Sequence, residues 1–441
     1  MFKIKCNSPI LLAHAEPDRS TLFGKMISVG VFIDLKWQQS AGGHVKCWER
    51  FAKAAISQPD LDLTLHFLGD TPQTIDVSEH VRYRLHPPCF STERLPFLED
   101  VPDHTDLVGF NPLLLPYLET IDVAHTTHPL FTFGKTAQTF CQQQNKPLVT
   151  SIHTDTPHYT QIYLEQRLRR LWGDGLMSQL LIDHLQLPHR YRRRMVAQQQ
   201  RYWQTCNHVL MAQPEDPEVT AVMPKVKVSH LRRGIDTQRF NPTQRDRTVL
   251  YENYGIPSDC FLLLYVGRLD DCKSVMTCAH STKILIDQGL PIHLLAVGRG
   301  NRSSDIQQLL QGRVTLPGVI EQDKLGAIFA SADLFVFPSQ TEGNCNVVLE
   351  AKSSGLPVIT SAQGGASQST QVSGEDGMIL ETDAPQQWAD AIAQLYHNGE
   401  MRSQIAQAGQ HRIQQVWPSW QDVLIEDLLP VWQSLAHAKA S

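Results

Sequence analysis

Residues 335–360 read FVFPSQTEGNCNVVLEAKSSGLPVIT and predict a strand, a loop, a helix and a second strand. The first strand ends at Pro338, the helix spans Val347–Ser354, and the second strand spans Pro357–Thr360. Strands that alternate with helices imply a parallel sheet that is covered on both faces. The stretch therefore predicts an open α/β fold, whose ligands bind beyond the carboxyl ends of the strands.

The same alternation continues on both sides of this stretch. In the second half of the chain, further strands and helices are predicted at Phe261–Val266, Val275–Asp287, His293–Val297, Val314–Pro317, Gln322–Ser331 and Leu334–Pro338. In the first half, they are predicted at Met26–Asp34, His44–Ile56, Leu63–Leu68, Val123–Thr126, Phe133–Gln144 and Pro147–His153. The halves share an architecture without an evident sequence repeat, so we predict two α/β domains.

A proline-rich segment separates the two halves. Residues 211–244 carry four prolines among charged residues and break the alternation. We therefore expect a lead-in at residues 1–25, an N-terminal domain at 26–225 and a C-terminal domain at 226–417. The segment 418–436 is rich in Trp and Leu and is predicted to pack back on the N-terminal domain as a helix.

Composition narrows the function class. The 441 residues include 39 Lys and Arg against 45 Asp and Glu, a formal net charge of −6. This balance gives no global electrostatic reason to bind nucleic acid, so any anion binding is local. The nine cysteines form no CxxC pair, which predicts reduced thiols in a cytosolic chain and no structural zinc. No apolar run reaches the roughly 18 to 20 residues that span a bilayer.

Two glutamates flank the start of the predicted helix in the opening stretch. Glu342 precedes the helix and Glu350 lies within its first turns, so both can face one crevice. Between them, backbone amides at the helix N-terminus favour a phosphate, and a carboxylate can accept hydrogen bonds from a ribose diol. From the residue types alone, a solvated Glu342 and a surface Glu350 are equally open.

This stretch resembles the donor-binding signature of the retaining glycosyltransferases of family 4. In that signature, a strand ending in Pro-Ser is followed by Glu-(x)7-Glu, a helix of small residues and Gly-x-Pro-Val. Further matching segments are Gly42-Gly43, Arg233-Gly234-Ile235-Asp236, Val266-Gly267-Arg268-Leu269 with Lys273, and Ala296-Val297-Gly298-Arg299-Gly300. The loop after Glu342 departs from the usual phenylalanine-glycine pair of this family. The resemblance therefore leaves the identity of the donor sugar open.

The resemblance implies the GT-B fold, which has two facing Rossmann-like domains and a deep interdomain cleft. It also implies transfer of a sugar, with retention, from a nucleotide-diphosphate donor to an acceptor hydroxyl. Arg268 and Lys273 would neutralise the diphosphate leaving group, Glu350 would take the ribose hydroxyls, and Glu342 would lie near the donor sugar. Other implied donor-binding positions are Gly42, Gly43, Gly267, Gly343, Asn344, Cys345 and Asn346. No metal cofactor is expected, because the basic pair of this family stands in for a divalent ion.

His153 ends an N-terminal strand within residues 151–160, SIHTDTPHYT. A strand end is where an open sheet places its site. The segment also resembles one found in members that glycosylate lipids, where the His faces the donor sugar. We therefore predict His153 as a catalytic residue, either as a base or as a neutral hydrogen-bonding ring. A purely structural His153 is the alternative, and the participation of Asp155 stays open.

The acceptor side carries a basic stretch, Arg167–Arg201. Residues 161–201 hold eight arginines and three acidic residues, interleaved with leucines and aromatic side chains. This pattern suits an anionic membrane surface or an anionic acceptor, and a solvated basic face is the alternative. Nucleic acid is not expected, because no known binding module accompanies the stretch. We expect a lipid or saccharide acceptor and a cytoplasmic location, at the inner face of the membrane.

A second class of function remains open. The chain could be a nucleotide-sugar-binding protein without transfer, or a sugar-nucleotide epimerase of the same fold. The complete set of Arg268, Lys273 and the two glutamates favours the transferase. A dehydrogenase is disfavoured, because no GxGxxG motif opens a helix with an acidic residue about 20 positions further on.

Overall fold

The computed structural model describes residues 26–38, 41–94, 105–106, 108–153, 156–173, 175–212, 226–340 and 345–438. The lead-in at residues 1–25 lies outside the described residues. So do four positions of the predicted site, which are Asp155, Glu342, Gly343 and Asn344.

The N-terminal sheet contains eight strands within the described residues. Their bounds are β1 (Ile27–Lys36), β2 (Leu61–Leu68), β3 (Gln73–Asp76), β4 (Val81–His86), β5 (Val123–Thr126), β6 (Leu148–Ser151), β7 (His208–Met211) and β8 (Lys227–His230). The spatial order is β3-β4-β2-β1-β5-β6-β7-β8. Only β3 runs antiparallel to its neighbour among these strands. The helices of this half are α1 (Gly43–Ala55), α2 (Leu115–Thr120), α3 (Thr132–Gln144), α4 (Thr156–Trp172), α5 (Leu176–Gln179) and α6 (Leu187–Trp203).

The C-terminal sheet contains six parallel strands in the described part of the chain. They are β9 (Phe261–Val266), β10 (Ile292–Val297), β11 (Val314–Gly318), β12 (Leu334–Phe337), β13 (Val358–Ser361) and β14 (Met378–Leu380), in the order β11-β10-β9-β12-β13-β14. The helices are α7 (Arg247–Tyr254), α8 (Val275–Asp287), α9 (Ser303–Leu310), α10 (Gln322–Ser331), α11 (Asn346–Ser353), α12 (Pro385–His397) and α13 (Gly399–Val416). All six residues of β9 are buried, as expected of a central parallel strand.

The N-terminal sheet extends past the domain boundary that we place at residue 226. Strand β8 lies beyond this boundary, yet it pairs in parallel with β7 from His208↔Lys227 to Met211↔His230. The backbone hydrogen bonds of β8 therefore complete the first sheet, and the chain leaves that sheet only after His230.

The chain ends on the N-terminal domain. Two further helices, α14 (Trp420–Val423) and α15 (Leu429–Ala438), follow the C-terminal domain. Trp420 and Trp432 belong to the hydrophobic core that β1, β2 and α1 form. Gly234 allows the start of α14 to pack directly against the segment that follows β8, because a Cβ at Gly234 would lie 2.5 Å from the backbone nitrogen of Trp420. The two domains are thus joined twice, once before β9 and once after α13.

Candidate active site

The loop after β9 is held by the neighbouring loop after β10. Leu269 N donates to Arg299 O at 3.0 Å, and Gly267 N donates to Val297 O at 2.9 Å. Gly298 has a φ of 140°, and a Cβ at this position would overlap the carbonyl oxygen of Gly267. Only glycine fits such a conformation and approach. The glycines of both motifs therefore set the position of Arg268.

The predicted diphosphate cations follow Gly267 and face the N-terminal domain. Lys273 is 8% exposed, and its Nζ donates to the hydroxyl of Tyr159 at 2.8 Å. Nη1 of Arg268 donates to the hydroxyl of Tyr163 at 3.0 Å. Both tyrosines lie on α4, which follows the strand that leads to His153. The structure therefore brings the two cations to the carboxyl end of β6.

Glu350 is buried in the crevice and is not a surface residue. It lies on α11 with its side chain 3% exposed, and it accepts a hydrogen bond from Nη2 of Arg50 at 2.5 Å. Arg50 belongs to α1 and is 11% exposed at its side chain. The predicted ribose carboxylate is thus paired with a cation from the opposite domain, which sequence reasoning missed.

The predicted phosphate-binding amides lie at two helix starts. Gly42 precedes α1 as its N-cap, and a Cβ at Gly43 would meet no atom of the described protein within 4 Å. Cys345 is the N-cap of α11 and is buried. Oδ1 of Asn346 is buried and has no hydrogen-bond partner among the described residues. Within the described protein, the start of α1 therefore has open space beside Gly43, and the start of α11 has a side-chain oxygen without a hydrogen-bond partner.

A hydrogen-bonded chain of buried groups leads to His153. Nε1 of Trp432 donates to Nδ1 of His125 at 3.0 Å. The Ser151 hydroxyl oxygen lies 2.8 Å from Nε2 of His125 and 2.8 Å from Nε2 of His153. Nη2 of Arg233 contacts Nδ1 of His153 at 3.1 Å. Since indole and guanidinium groups only donate, both histidines carry their proton on Nε2 and donate it to Ser151.

Burial keeps these imidazoles neutral. Desolvation, followed by the neighbouring His44 and Arg233, holds the pKa of His153 well below its usual range. Burial lowers the pKa of His125 to about 3 and that of His128 to about 4. The His44 ring lies 4.4 Å from the His153 ring and 4.9 Å from the His128 ring between centroids. With Nδ1 facing a guanidinium, His153 is in this arrangement a neutral ring that donates to Ser151.

Arg233 is a functional candidate that sequence reasoning passed over. It is 6% exposed, and Nη1 donates to the Sγ of Cys47 at 2.7 Å. Burial raises the pKa of the Cys47 thiol, so this partner is uncharged. No carboxylate pairs with Arg233 in the described part of the chain. Its place directly before the Gly-Ile-Asp motif was the available signal.

A small pocket opens beside His153 on the N-terminal side. It has a cavity volume of about 10 Å³ and mixes apolar side chains with neutral hydrogen-bonding groups. Its lining residues are Thr127, His128, Pro129, Leu130, Ile152, His153, Thr156 and Gln199. The described residues contain no group of three or more His, Cys, Asp or Glu side chains arranged to hold a metal ion.

The basic stretch Arg167–Arg201 forms the outer part of α4, α5 and α6, which we call the helical hairpin. Its tip exposes eight large hydrophobic side chains, which are Leu171, Trp172, Leu176, Met177, Leu180, Leu185, Leu187 and Tyr191. Arginines on both long helices are exposed beside them, at positions 169, 170, 190, 193 and 194. Among the described helices, none combines the length and apolar character needed to cross a bilayer.

Comparisons with known proteins agree with this architecture. Residues 260–398 match the model of the family "Glycosyl transferases group 1". The D-inositol 3-phosphate glycosyltransferase of Corynebacterium urealyticum is 28% identical over 217 residues, which cover 46% of this chain and 51% of that relative. The chain therefore spans about half the length of this curated relative.

Solved structures show the same fold over nearly the whole chain. The sucrose-phosphate synthase of Thermosynechococcus elongatus has a TM-score of 0.69 at 18% identity, covering 93% of this chain and 100% of its own. HepE of Anabaena, solved with UDP and glucose, has a TM-score of 0.61 at 16% identity, covering 93% and 99%. The predicted fold of two facing Rossmann-like domains is confirmed.

Proposed function

We propose that the whole chain is a glycosyltransferase, because residues 260–398 match the model of the family "Glycosyl transferases group 1". It moves a sugar from a nucleotide-diphosphate donor to an acceptor hydroxyl with retention of configuration. The observation that carries this proposal is the meeting of Lys273, Arg268 and Glu350 with N-terminal side chains in one crevice. Such a crevice at the carboxyl ends of two parallel sheets is where open α/β folds bind their ligands.

The donor diphosphate binds at Lys273 and Arg268 in this proposal. Departure of a nucleoside diphosphate builds negative charge, and preorganised cations and amides stabilise such charge in a site that excludes water. The helix starts at Gly42-Gly43 and at Cys345-Asn346 add backbone amides. Glu350 takes the ribose hydroxyls, with Arg50 holding the carboxylate in place. HepE was solved with UDP, so uridine nucleotides are the first donors to test.

The sugar and the acceptor meet at His153. Its ring lines the pocket beside Gln199 and Thr127, whose neutral hydrogen-bonding groups suit a single hydroxyl of a sugar or polyol. His153 is neutral, because burial holds its pKa low, and its ring nitrogens contact Ser151 and Arg233. We assign no proton-accepting role to it.

The acceptor is a lipid-linked or envelope saccharide, presented at an anionic membrane surface. The helical hairpin supports this assignment, because exposed apolar side chains rimmed by arginines suit insertion between anionic headgroups. The pocket beside His153 lies at the base of the same helices, since Thr156 belongs to α4 and Gln199 to α6. A membrane-bound acceptor would therefore reach the site along the hairpin.

A transfer assay tests the proposed activity. The protein is incubated with radiolabelled UDP-, GDP-, ADP- and dTDP-sugars and an envelope extract, and incorporated label is counted together with the nucleoside diphosphate released. We expect the incorporated label and the released nucleoside diphosphate to be equal in amount, and the NMR coupling of the product to show a retained anomeric configuration. The transfer rate of Glu350→Gln should be at least about tenfold lower than that of the wild type. Glu252→Gln, on the exposed surface of α7, is the matched control. Donor binding without transfer would favour a silent binding protein, and interconversion of nucleotide-sugars would favour an epimerase.

Vesicle co-sedimentation tests the membrane surface. Binding should rise with the phosphatidylglycerol content of phosphatidylcholine vesicles and fall with salt. Leu176→Ser and Arg170→Glu should each reduce it, whereas Val416→Ser, an exposed position on α13, should not. Equal binding to neutral and anionic vesicles would contradict the assignment.

A further inference from the structure

Two tyrosines of the N-terminal domain meet the two predicted diphosphate cations. Lys273 donates to the Tyr159 hydroxyl at 2.8 Å and Arg268 donates to the Tyr163 hydroxyl at 3.0 Å. The tyrosines stand four residues apart on α4, so they share one face of that helix. The two hydroxyls therefore match the two cations one to one across the domain boundary.

The surroundings keep both cations and hydroxyls together. Nζ of Lys273 lies 5.3 Å and Cζ of Arg268 lies 5.9 Å from the centroid of the Tyr159 ring, within the range of cation–π attraction. Each phenol oxygen accepts a hydrogen bond from its cation, and the Tyr163 hydroxyl is also hydrogen-bonded to the Cys272 thiol. Burial raises the pKa of Tyr163, so this phenol keeps its proton at neutral pH.

We propose that Tyr159 and Tyr163 position Lys273 and Arg268 for the donor diphosphate. The C-terminal domain supplies the positive charge, and the two hydroxyl oxygens of the N-terminal domain hold the cations in place by accepting their hydrogen bonds. This inference rests on the proposed function and extends it. Neither domain alone holds the full leaving-group site, so diphosphate binding depends on the closed arrangement of the two domains.

Calorimetry with Tyr159→Phe and Tyr163→Phe tests this inference, because phenylalanine keeps the ring over the cations and removes only the hydroxyl. The probe is whichever of UDP, GDP, ADP and dTDP binds the wild type most tightly, paired with its monophosphate. We expect each variant to bind the diphosphate about tenfold more weakly or worse and the monophosphate within about twofold of wild type. Tyr251→Phe, 62% exposed on α7, is the control.

If the tyrosines had only a structural role, each substitution would weaken the binding of the diphosphate and of the monophosphate alike. This result would overturn the inference. Unchanged diphosphate affinity would also overturn it, and so would tighter binding, which would show that the hydroxyls compete with phosphate. In these three cases the wild type still binds a nucleoside diphosphate, so the proposed function stands. A wild type that binds none of the four diphosphates overturns the proposed function and this inference together. Circular dichroism verifies that each variant is folded.

Discussion

Arg233 places a buried guanidinium among neutral groups. Its nearest partners are the Cys47 thiol and the His153 ring, and no described carboxylate balances its charge. Removing an ion from water without a counter-charge costs several kcal/mol. In the proposed function, an anion bound in the crevice would balance this buried charge.

We therefore expect Arg233→Met to lower the transfer rate without lowering the free energy of unfolding. An apolar side chain of similar length should leave the free energy of unfolding unchanged or higher, since the unpaired charge is gone. Transfer should fall at least about 100-fold, because a positive group aimed at developing charge is lost. Urea unfolding and the transfer rate measure the two quantities. A clear loss of stability with normal transfer would contradict this role.

The buried histidines make stability depend on pH. His128 has a folded pKa of about 4 against 6.5 for the ordinary imidazole, so the unfolded chain binds the proton first as the solution is acidified. The free energy of unfolding therefore falls as the pH drops from 6.5 towards 4. In His128→Gln, the drop between pH 7 and 4 should be smaller by about 3 kcal/mol. Equal pH dependence of unfolding in variant and wild type would contradict the assignment.

At the scale of elements, α15 joins the end of the chain to the first sheet. Trp432 is fully buried, and its N–H bonds to His125 beside the Ser151 and His153 pair. The same helix thus contributes to the core and to the orientation of the site. Arg232 fixes the preceding helical segment Leu424–Leu428 by donating to Asp427 at 2.7 and 3.0 Å.

Trp432→Ala should destabilise the protein by about 3 to 5 kcal/mol, because it leaves a large cavity in the core and removes a hydrogen bond. Trp172→Ala, at an exposed end of α4, should change the free energy of unfolding by less than about 0.5 kcal/mol. Denaturant titration measures both variants. Similar small effects in the two would mean that the C-terminal helices do not support the N-terminal core.

The sequence predicted elements well where apolar runs are long and buried. β9, α8 and α10 have the predicted bounds, because β9 is buried along its whole length and each helix buries one face. The hairpin of β3 and β4 was not predicted, since β3 is an exposed polar edge of four residues with no apolar signal. β8 was not predicted either, because it lies within the proline-rich segment 211–244 and its pairing with β7 cannot be read from a linear pattern.

The sequence predicted site positions on both sides of the crevice, including Gly42, Gly43 and His153 in the N-terminal domain. Lys273, Arg268 and Glu350 lie in recognisable motifs, and the structure brings all three to one crevice. Their partners across the crevice were not predicted, because Arg50 is 300 residues from Glu350 and Tyr159 is 114 residues from Lys273. No local pattern records such a contact, and only the packing of two sheets creates it.

At the scale of the whole molecule, pairs of side chains join the two domains across the crevice. The Arg50 and Glu350 pair is buried from both sides, and the two tyrosine contacts lie at the neighbouring loop. Breaking a buried ion pair by removing one partner costs about 3 to 5 kcal/mol, which is enough to shift an open-to-closed equilibrium strongly.

Arg50→Glu should therefore open the molecule, because two carboxylates would face each other in the crevice. Small-angle X-ray scattering should show a larger radius of gyration than for the wild type. The charge-exchanged double variant Arg50→Glu with Glu350→Arg should restore compactness, although it should not bind nucleotide. Unchanged scattering in the single variant would show that this pair does not hold the domains together.

In the proposed function, Lys273 and Arg268 bind a donor diphosphate. Calorimetric titration of a nucleoside diphosphate, UDP first, into wild type, Lys273→Ala and Lys283→Ala tests this binding most directly. Lys283 pairs with Asp287 on the exposed face of α8 and serves as the control. We predict that the wild type and Lys283→Ala bind alike and that Lys273→Ala binds at least about 30-fold more weakly. Equal affinity of all three proteins would contradict diphosphate binding at Lys273.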